Sequence, residues 1–114
     1  IAMRTVAGGD VFRLRDVPGA AWKPYLQERA RQVAPVFERS GISQWSEFCV
    51  RFAHSIPQVR ATVGATSSQA RLNEFVRLTT GAIEPLEASL MAELFDLQRR
   101  WSDEVDTRAE PWSM

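Results

Sequence analysis

Apolar residues recur at helical spacing in four stretches of the chain. In residues 24–39 they recur every three or four positions, and Pro24 suits a first helical turn, so a helix is predicted there. Pro35 falls inside this stretch and is expected to kink or split the helix. The next helix is predicted to follow an N-cap at Ser43 and to end at residues 56–57, because a residue before proline avoids the helical region. Its apolar stripe consists of Trp45, Phe48, Cys49, Phe52 and Ala53.

Two more helices are predicted in the second half of the chain. Thr66, with Gln69 three residues later, fits a capping box, and the helix that it opens is expected to stop at Gly81. The last helix is predicted to begin at residues 84–85, and the chain becomes polar after it, so residues 102–114 are expected to form a loose tail. The apolar face of this last helix consists of Leu86, Leu90, Leu94, Leu97 and Trp101.

Two short apolar stretches, residues 1–6 and 59–63, are predicted to be strands. Strands joined by a helical crossover should pair in parallel with a right-handed connection. A parallel sheet of only two strands is a poor core by itself, because both of its edges stay open. Since the chain also opens directly on the apolar Ile1, we expect it to be a fragment of a larger α/β protein.

The composition narrows the classes of partner. With 45% hydrophobic and 25% charged residues, the chain suits a globular protein rather than a disordered one. Fourteen basic residues balance fourteen acidic ones, so no net charge draws the chain to nucleic acid or to an anionic membrane. It has no long apolar run that could span a bilayer. A single cysteine, Cys49, excludes an internal disulfide and fits a reducing compartment, so we expect a cytoplasmic protein.

The segment with the most chemical character is the turn after the second predicted strand. Gly64 lets the backbone turn closely, and a predicted helix follows. The N-terminus of a helix attracts anions, the hydroxyls of residues 66–68 add donors, and Arg71 can supply a positive charge. This set suits a phosphate monoester such as the one on the ribose of NADP. Helix capping by itself also explains residues 66–69, so both interpretations stay open.

Two segments together resemble the aldo-keto reductases. Residues 1–9, an apolar strand running into Ala7-Gly8-Gly9, resemble the seventh strand of that family and the loop after it. Residues 47–65 resemble its seventh helix and eighth strand. The resemblance covers residues 1–101 in order. The pattern that carries it is Arg51-Phe52-Ala53, then Ser55-Ile56-Pro57-Gln58-Val59, then Thr62-Val63-Gly64.

The resemblance implies an α/β fold: a C-terminal fragment of a (β/α)8 TIM barrel, with two short parallel strands, four to five helices and a helix-rich content overall. It implies that residues 1–101 form this part of the barrel. In such a barrel the cofactor lies at the C-terminal ends of the strands. Met3 then lies where a side chain packs on the nicotinamide ring. The loop that holds the pyrophosphate is implied to consist of Arg4, Thr5 and Val6. The turn around the ribose phosphate is implied to consist of Gly64, Ala65, Thr66 and Ser67. The residues implied to lie near this phosphate and the adenine are Gln69, Arg71, Asn73 and Glu74.

The implied parent enzyme transfers hydride between NADP or NAD and a small carbonyl or alcohol substrate. Met3 stands where the family often has an aromatic residue, and Ala70 where it often has a basic or amide one, so NADP and NAD both remain possible. The family's catalytic Tyr, Lys, Asp and His come from earlier strands, and His54 is interpreted as a packing or surface residue. We therefore expect this chain to hold no catalytic residue and no metal site, to be inactive alone and to self-associate. The alternative is a stand-alone helical binding module without catalytic activity.

Overall fold

A computed structural model describes residues 2–3, 24–64 and 66–106 of the chain. The predicted site residues Arg4, Thr5, Val6 and Ala65 lie outside these described residues. In chain order, the described elements are β1 (Ala2–Met3), α1 (Pro24–Arg39), α2 (Trp45–His54), β2 (Thr62–Val63), α3 (Gln69–Thr79) and α4 (Ala88–Asp106).

The predicted fold class, a fragment of an α/β barrel, is wrong. Helices of 16, 10, 11 and 19 residues dominate the described chain, and each strand has only two residues. The strands pair in parallel, with Ala2 opposite Thr62 and Met3 opposite Val63, which is far too little to form a barrel wall. The physical reason is that apolar surface is buried between helices, whereas Val63 in β2 keeps 51% of its surface exposed.

The core lies between α1, α2 and α4. A cluster of buried side chains joins these helices, and aromatic rings pack around it: Phe37, Trp45 and Phe48 have ring centroids 5.2–5.5 Å apart, in edge-on and stacked arrangements. Phe48 of the first predicted stripe and Leu90 and Leu94 of the second belong to this core, as predicted, whereas the buried Leu86 lies before α4 rather than on its face. The cluster consists of Val36, Phe48, Leu86, Leu90, Met91 and Leu94.

Polar contacts also join α1 to α4. The Arg39 guanidinium donates two hydrogen bonds to the Glu93 carboxylate, one of them 2.7 Å long. This hydrogen bonding lowers the pKa of Glu93 below its ordinary value. Nearer the start of α1 and later in α4, the Trp101 indole N–H donates to Gln32 Oε1 at 2.8 Å. These contacts fix the direction of α4 across α1.

The segment that precedes α4 is attached to the end of α2. Arg51 Nε donates to the carbonyl oxygen of Glu84 at 2.9 Å, and its Nη2 donates to that of Pro85 at 3.2 Å. The backbone N–H of Leu86 donates to Ser55 Oγ at 2.8 Å. The chain between α3 and α4 is thereby held at residues 84–86, where the buried Leu86 enters the core.

Several predicted helix boundaries need correction. Pro35 does not split α1, which continues from Pro24 to Arg39. Gln44 rather than Ser43 occupies the N-cap position of α2, without a side-chain capping bond. The last helix begins at Ala88 and runs to Asp106, so the predicted tail boundary at residue 102 falls inside it. Residues 107–114 lie outside the described part of the chain.

Candidate functional site

The short strand pair brings two of the predicted cofactor-binding segments to one place. Because β1 and β2 are parallel and Met3 lies opposite Val63, the chain leaves both strands at the same edge of the pair. Met3 at the end of β1 and Gly64 directly after β2 are therefore neighbours in the backbone arrangement. In α/β proteins ligands bind at the carboxyl ends of parallel strands, but here each strand of the pair has only two residues.

Gly64 is positioned against α3. A Cβ atom added at Gly64 would lie 3.2 Å from two ring carbons of Phe75, which is tighter than an ordinary van der Waals contact. The absence of a side chain at residue 64 therefore lets the Phe75 ring close on the turn. Sequence reasoning identified the glycine but missed Phe75, because the contact depends on how α3 packs rather than on any local motif.

Hydroxyl groups organise the N-terminus of α3. Ser68 is the N-cap residue, and its Oγ accepts a hydrogen bond from the Arg71 backbone N–H at 3.4 Å. Thr66 Oγ1 accepts from the Ser68 backbone N–H at 3.1 Å. The predicted capping box at Thr66 and Gln69 is thus wrong: Thr66 shapes the turn, and the cap lies two residues later.

The phosphate-binding groups proposed from the sequence are open to solvent. Thr66, Ser67 and the Arg71 side chain are all exposed, on the turn and in the first turn of α3. Helical N–H groups point out of this end of the helix, which carries a partial positive charge. These groups are therefore accessible to an anion at the start of α3, although the backbone N–H groups of Ser68 and Arg71 already donate to Thr66 Oγ1 and Ser68 Oγ.

The predicted adenine-side residues are engaged within the chain. Gln69 Nε2 donates to Asn73 Oδ1 at 2.9 Å, both side chains being exposed on α3. Glu74 Oε1 instead accepts a hydrogen bond from Ser46 Oγ in α2 at 2.8 Å. Glu74 thus ties α3 to α2. The sequence contains no signal for this bond, because its partners are 28 residues apart.

His54 is the one histidine of the chain, and it stands beside the strand pair. Its Nε2 lies 3.5 Å from the Thr62 hydroxyl oxygen, at the end of α2, and the side chain is half-buried. Within the described ranges, no three His, Cys, Asp or Glu side chains are grouped so that they could hold a metal ion.

In the part of the chain that the structure describes, no helix combines the length and the apolar character needed to cross a bilayer. Comparison of the chain with protein-family models, with curated proteins and with solved structures gives no match. The resemblance to aldo-keto reductases therefore rests on the residues quoted from the sequence.

Proposed function

We propose that this chain is the C-terminal part of an NADP- or NAD-dependent oxidoreductase of the aldo-keto reductase kind, which interconverts carbonyl and alcohol groups in the cytoplasm. In this proposal the chain supplies part of the cofactor site and none of the catalytic residues. The observation that carries it is the parallel register of Met3 with Val63, because it brings the ends of both cofactor-binding segments to one edge. The proposal concerns the cofactor site and not a barrel.

The turn after β2 serves the adenosine end of the cofactor. Gly64 leaves room for close backbone approach, and the Ser67 hydroxyl and Arg71 guanidinium are exposed at the start of α3. Charge-assisted hydrogen bonds from a guanidinium and from helical N–H groups are the strong interactions available to a phosphate. The residues present therefore fit the phosphate-bearing end of a dinucleotide.

The nicotinamide end of the cofactor is proposed to lie beside β1. Met3 occupies the position where the family resemblance has a side chain packed on the nicotinamide ring, with Arg4, Thr5 and Val6 next to the pyrophosphate. When bound, the cofactor supplies the hydride chemistry. This chain contributes binding and orientation, and the acid that protonates the substrate comes from elsewhere in the parent enzyme. The chain alone is expected to have no reductase activity.

Removing the two exposed phosphate ligands should weaken cofactor binding. In the full-length protein that contains these residues, the double variant Ser67→Ala, Arg71→Ala is expected to bind NADPH, or NADH if that is the cofactor, roughly ten- to a hundredfold more weakly, since hydrogen bonds to charged groups are lost. Fluorescence titration with each nucleotide measures this. The matched control is Ser89→Ala, Arg77→Ala, which removes an exposed serine and arginine away from the turn. Unchanged affinity of the first variant for both nucleotides would remove the proposal.

A second candidate, a helical binding module, is favoured by one observation. Val63, Leu72 and Val76 keep 51%, 44% and 52% of their surfaces exposed. Leu72 and Val76 are four residues apart and so lie on the same face of α3. Such a row of apolar side chains is typical of a surface that binds another helix, and we propose a second copy of the chain as its partner.

Sedimentation velocity of the 114-residue chain at rising concentration tests this self-association. Leu72→Gln, Val76→Gln is expected to weaken the dimer at least about tenfold, because each apolar side chain contributes about 1.5–3 kcal/mol on burial. The control is Phe95→Gln, which removes a ring from α4. Phe95 has 46% of its surface exposed. A wild-type chain that stays monomeric, or a dimer weakened equally by both changes, would contradict this second candidate.

A further inference from the structure

α3 differs from its neighbours in how little it buries. None of its residues is buried, whereas the shorter α2 buries four. Leu72 and Val76 of α3 are exposed, and Phe75 is only partly covered. Because burial of apolar surface supplies most of the stability of a helix in a protein, α3 is held much less firmly than the helices of the core.

Contacts of Glu74 and Phe75 help to hold α3 in place. Its middle is attached to α2 by the hydrogen bond from Ser46 Oγ to Glu74 Oε1, which is 2.8 Å long and half-buried. Its inner ring, Phe75, rests on Gly64 in the turn. The two contacts come from consecutive residues of α3 and reach different partners, α2 and the turn after β2, so the attachment of α3 is confined to its middle.

The connection after α3 suits a helix that can separate from the core. Gly81 has a φ of +84°, with nothing within 4 Å of a Cβ placed there, so the backbone is uncrowded at this point. Firm attachment resumes at Glu84 and Pro85, whose carbonyl oxygens accept hydrogen bonds from Arg51. The core is therefore anchored independently of α3.

We propose that α3 opens as a unit: it detaches from α2 while α1, α2 and α4 stay folded, and the bond between Ser46 and Glu74 sets the balance between the two states. Opening changes the position of Arg71 relative to the turn after β2, and its effect on anion binding there rests on the proposed function. The opening itself does not depend on the proposed cofactor, because it follows from burial and from the two contacts.

Amide hydrogen exchange of the 114-residue chain, followed residue by residue by NMR, tests this. The amides of α3 are expected to share one opening equilibrium and to exchange at least about a hundredfold faster than the slowest amides of α2. Ser46→Ala should speed exchange throughout α3 by roughly tenfold to a hundredfold, because one hydrogen bond to a charged group is lost. Alanine has a higher helix propensity than serine, so the substitution is not expected to weaken α2, and exchange of the α2 amides checks this directly.

Ser43→Ala provides the matched control, since Ser43 is an exposed serine three residues earlier. It should leave α3 exchange unchanged, whereas Glu74→Ala, which removes the acceptor, should reproduce the effect of Ser46→Ala. The proposal is overturned if α3 exchanges only through global unfolding, with the same denaturant dependence as α2. It is equally overturned if Ser46→Ala speeds α2 and α3 alike, or if wild-type α3 shows no protection at all.

Discussion

Replacing Phe48 with alanine is expected to lower the free energy of unfolding by about 3–5 kcal/mol, the range for deleting a buried aromatic side chain. Phe48 is only 3% exposed and belongs to the buried cluster between α1, α2 and α4. Its ring packs on those of Phe37 and Trp45, with centroids 5.2 and 5.5 Å away. The substitution therefore removes apolar burial, leaves a cavity and takes the central ring from an aromatic cluster.

Urea denaturation followed by far-ultraviolet circular dichroism measures this loss. A small domain has little stability to spare, so Phe48→Ala should leave much of the chain unfolded at room temperature. The control Phe95→Ala makes the same chemical change at a residue that is 46% exposed. The ring centroids of Phe95 and Phe52 are 6.3 Å apart. It should cost less than about 1 kcal/mol. Equal losses in the two variants would show that the core does not lie where the structure puts it.

The second large effect is expected from Arg51→Ala, which should lower the free energy of unfolding by about 2 kcal/mol, as for other hydrogen bonds that involve a charged group. Arg51 donates to two backbone carbonyl oxygens, those of Glu84 and Pro85, and its guanidinium lies 3.7 Å from the Glu47 carboxylate. Its removal leaves those carbonyl oxygens without this donor. It also loosens the entry of Leu86 into the core.

Arg51→Lys separates charge from geometry. Lysine keeps the positive charge but lacks the planar fork that reaches both carbonyl oxygens, so most of the loss should persist. Arg99→Ala is the control, because Arg99 pairs with Asp96 on the exposed face of α4 and such a pair contributes less than about 1 kcal/mol. Full stability of Arg51→Lys would show that charge alone, rather than the two backbone contacts, explains the role of Arg51.

The helices could be predicted from the sequence because their signal is local. Apolar spacing placed a helix at residues 24–39, and the structure has α1 at Pro24–Arg39. The same spacing identified Phe48 and Leu90 as core residues, both of which are buried. The periodicity of apolar residues is a local signal, so the prediction of a helix from it does not depend on contacts between distant parts of the chain.

Features that depend on distant contacts or on competition between neighbours were predicted poorly. The polar residues after Trp101 predict a tail, yet α4 continues to Asp106. The contact of Trp101 with Gln32, 69 residues earlier in the chain, has no local sequence signal either. Thr66 and Ser68 both suit an N-cap, and local spacing could not decide between them.

The candidate site likewise has features that the sequence predicts and features that depend on distant contacts. Gly64 and Arg71 could be identified from a strand, a glycine and a helix in succession. The bond between Ser46 and Glu74 could not, because it depends on how α3 lies on α2. The barrel was inferred from resemblance and from strand-like composition, and short apolar stretches alone do not establish that strands extend over their whole length.

The most direct test of the proposed cofactor site is hydrogen–deuterium exchange, measured by mass spectrometry, on the full-length protein at saturating NADPH or NADH. Saturation is established beforehand by titration. Peptides that cover residues 62–71 are predicted to gain protection when the cofactor binds, while those of α4 stay unchanged. A protein that is saturated with cofactor but shows no added protection in residues 62–71 would contradict the account.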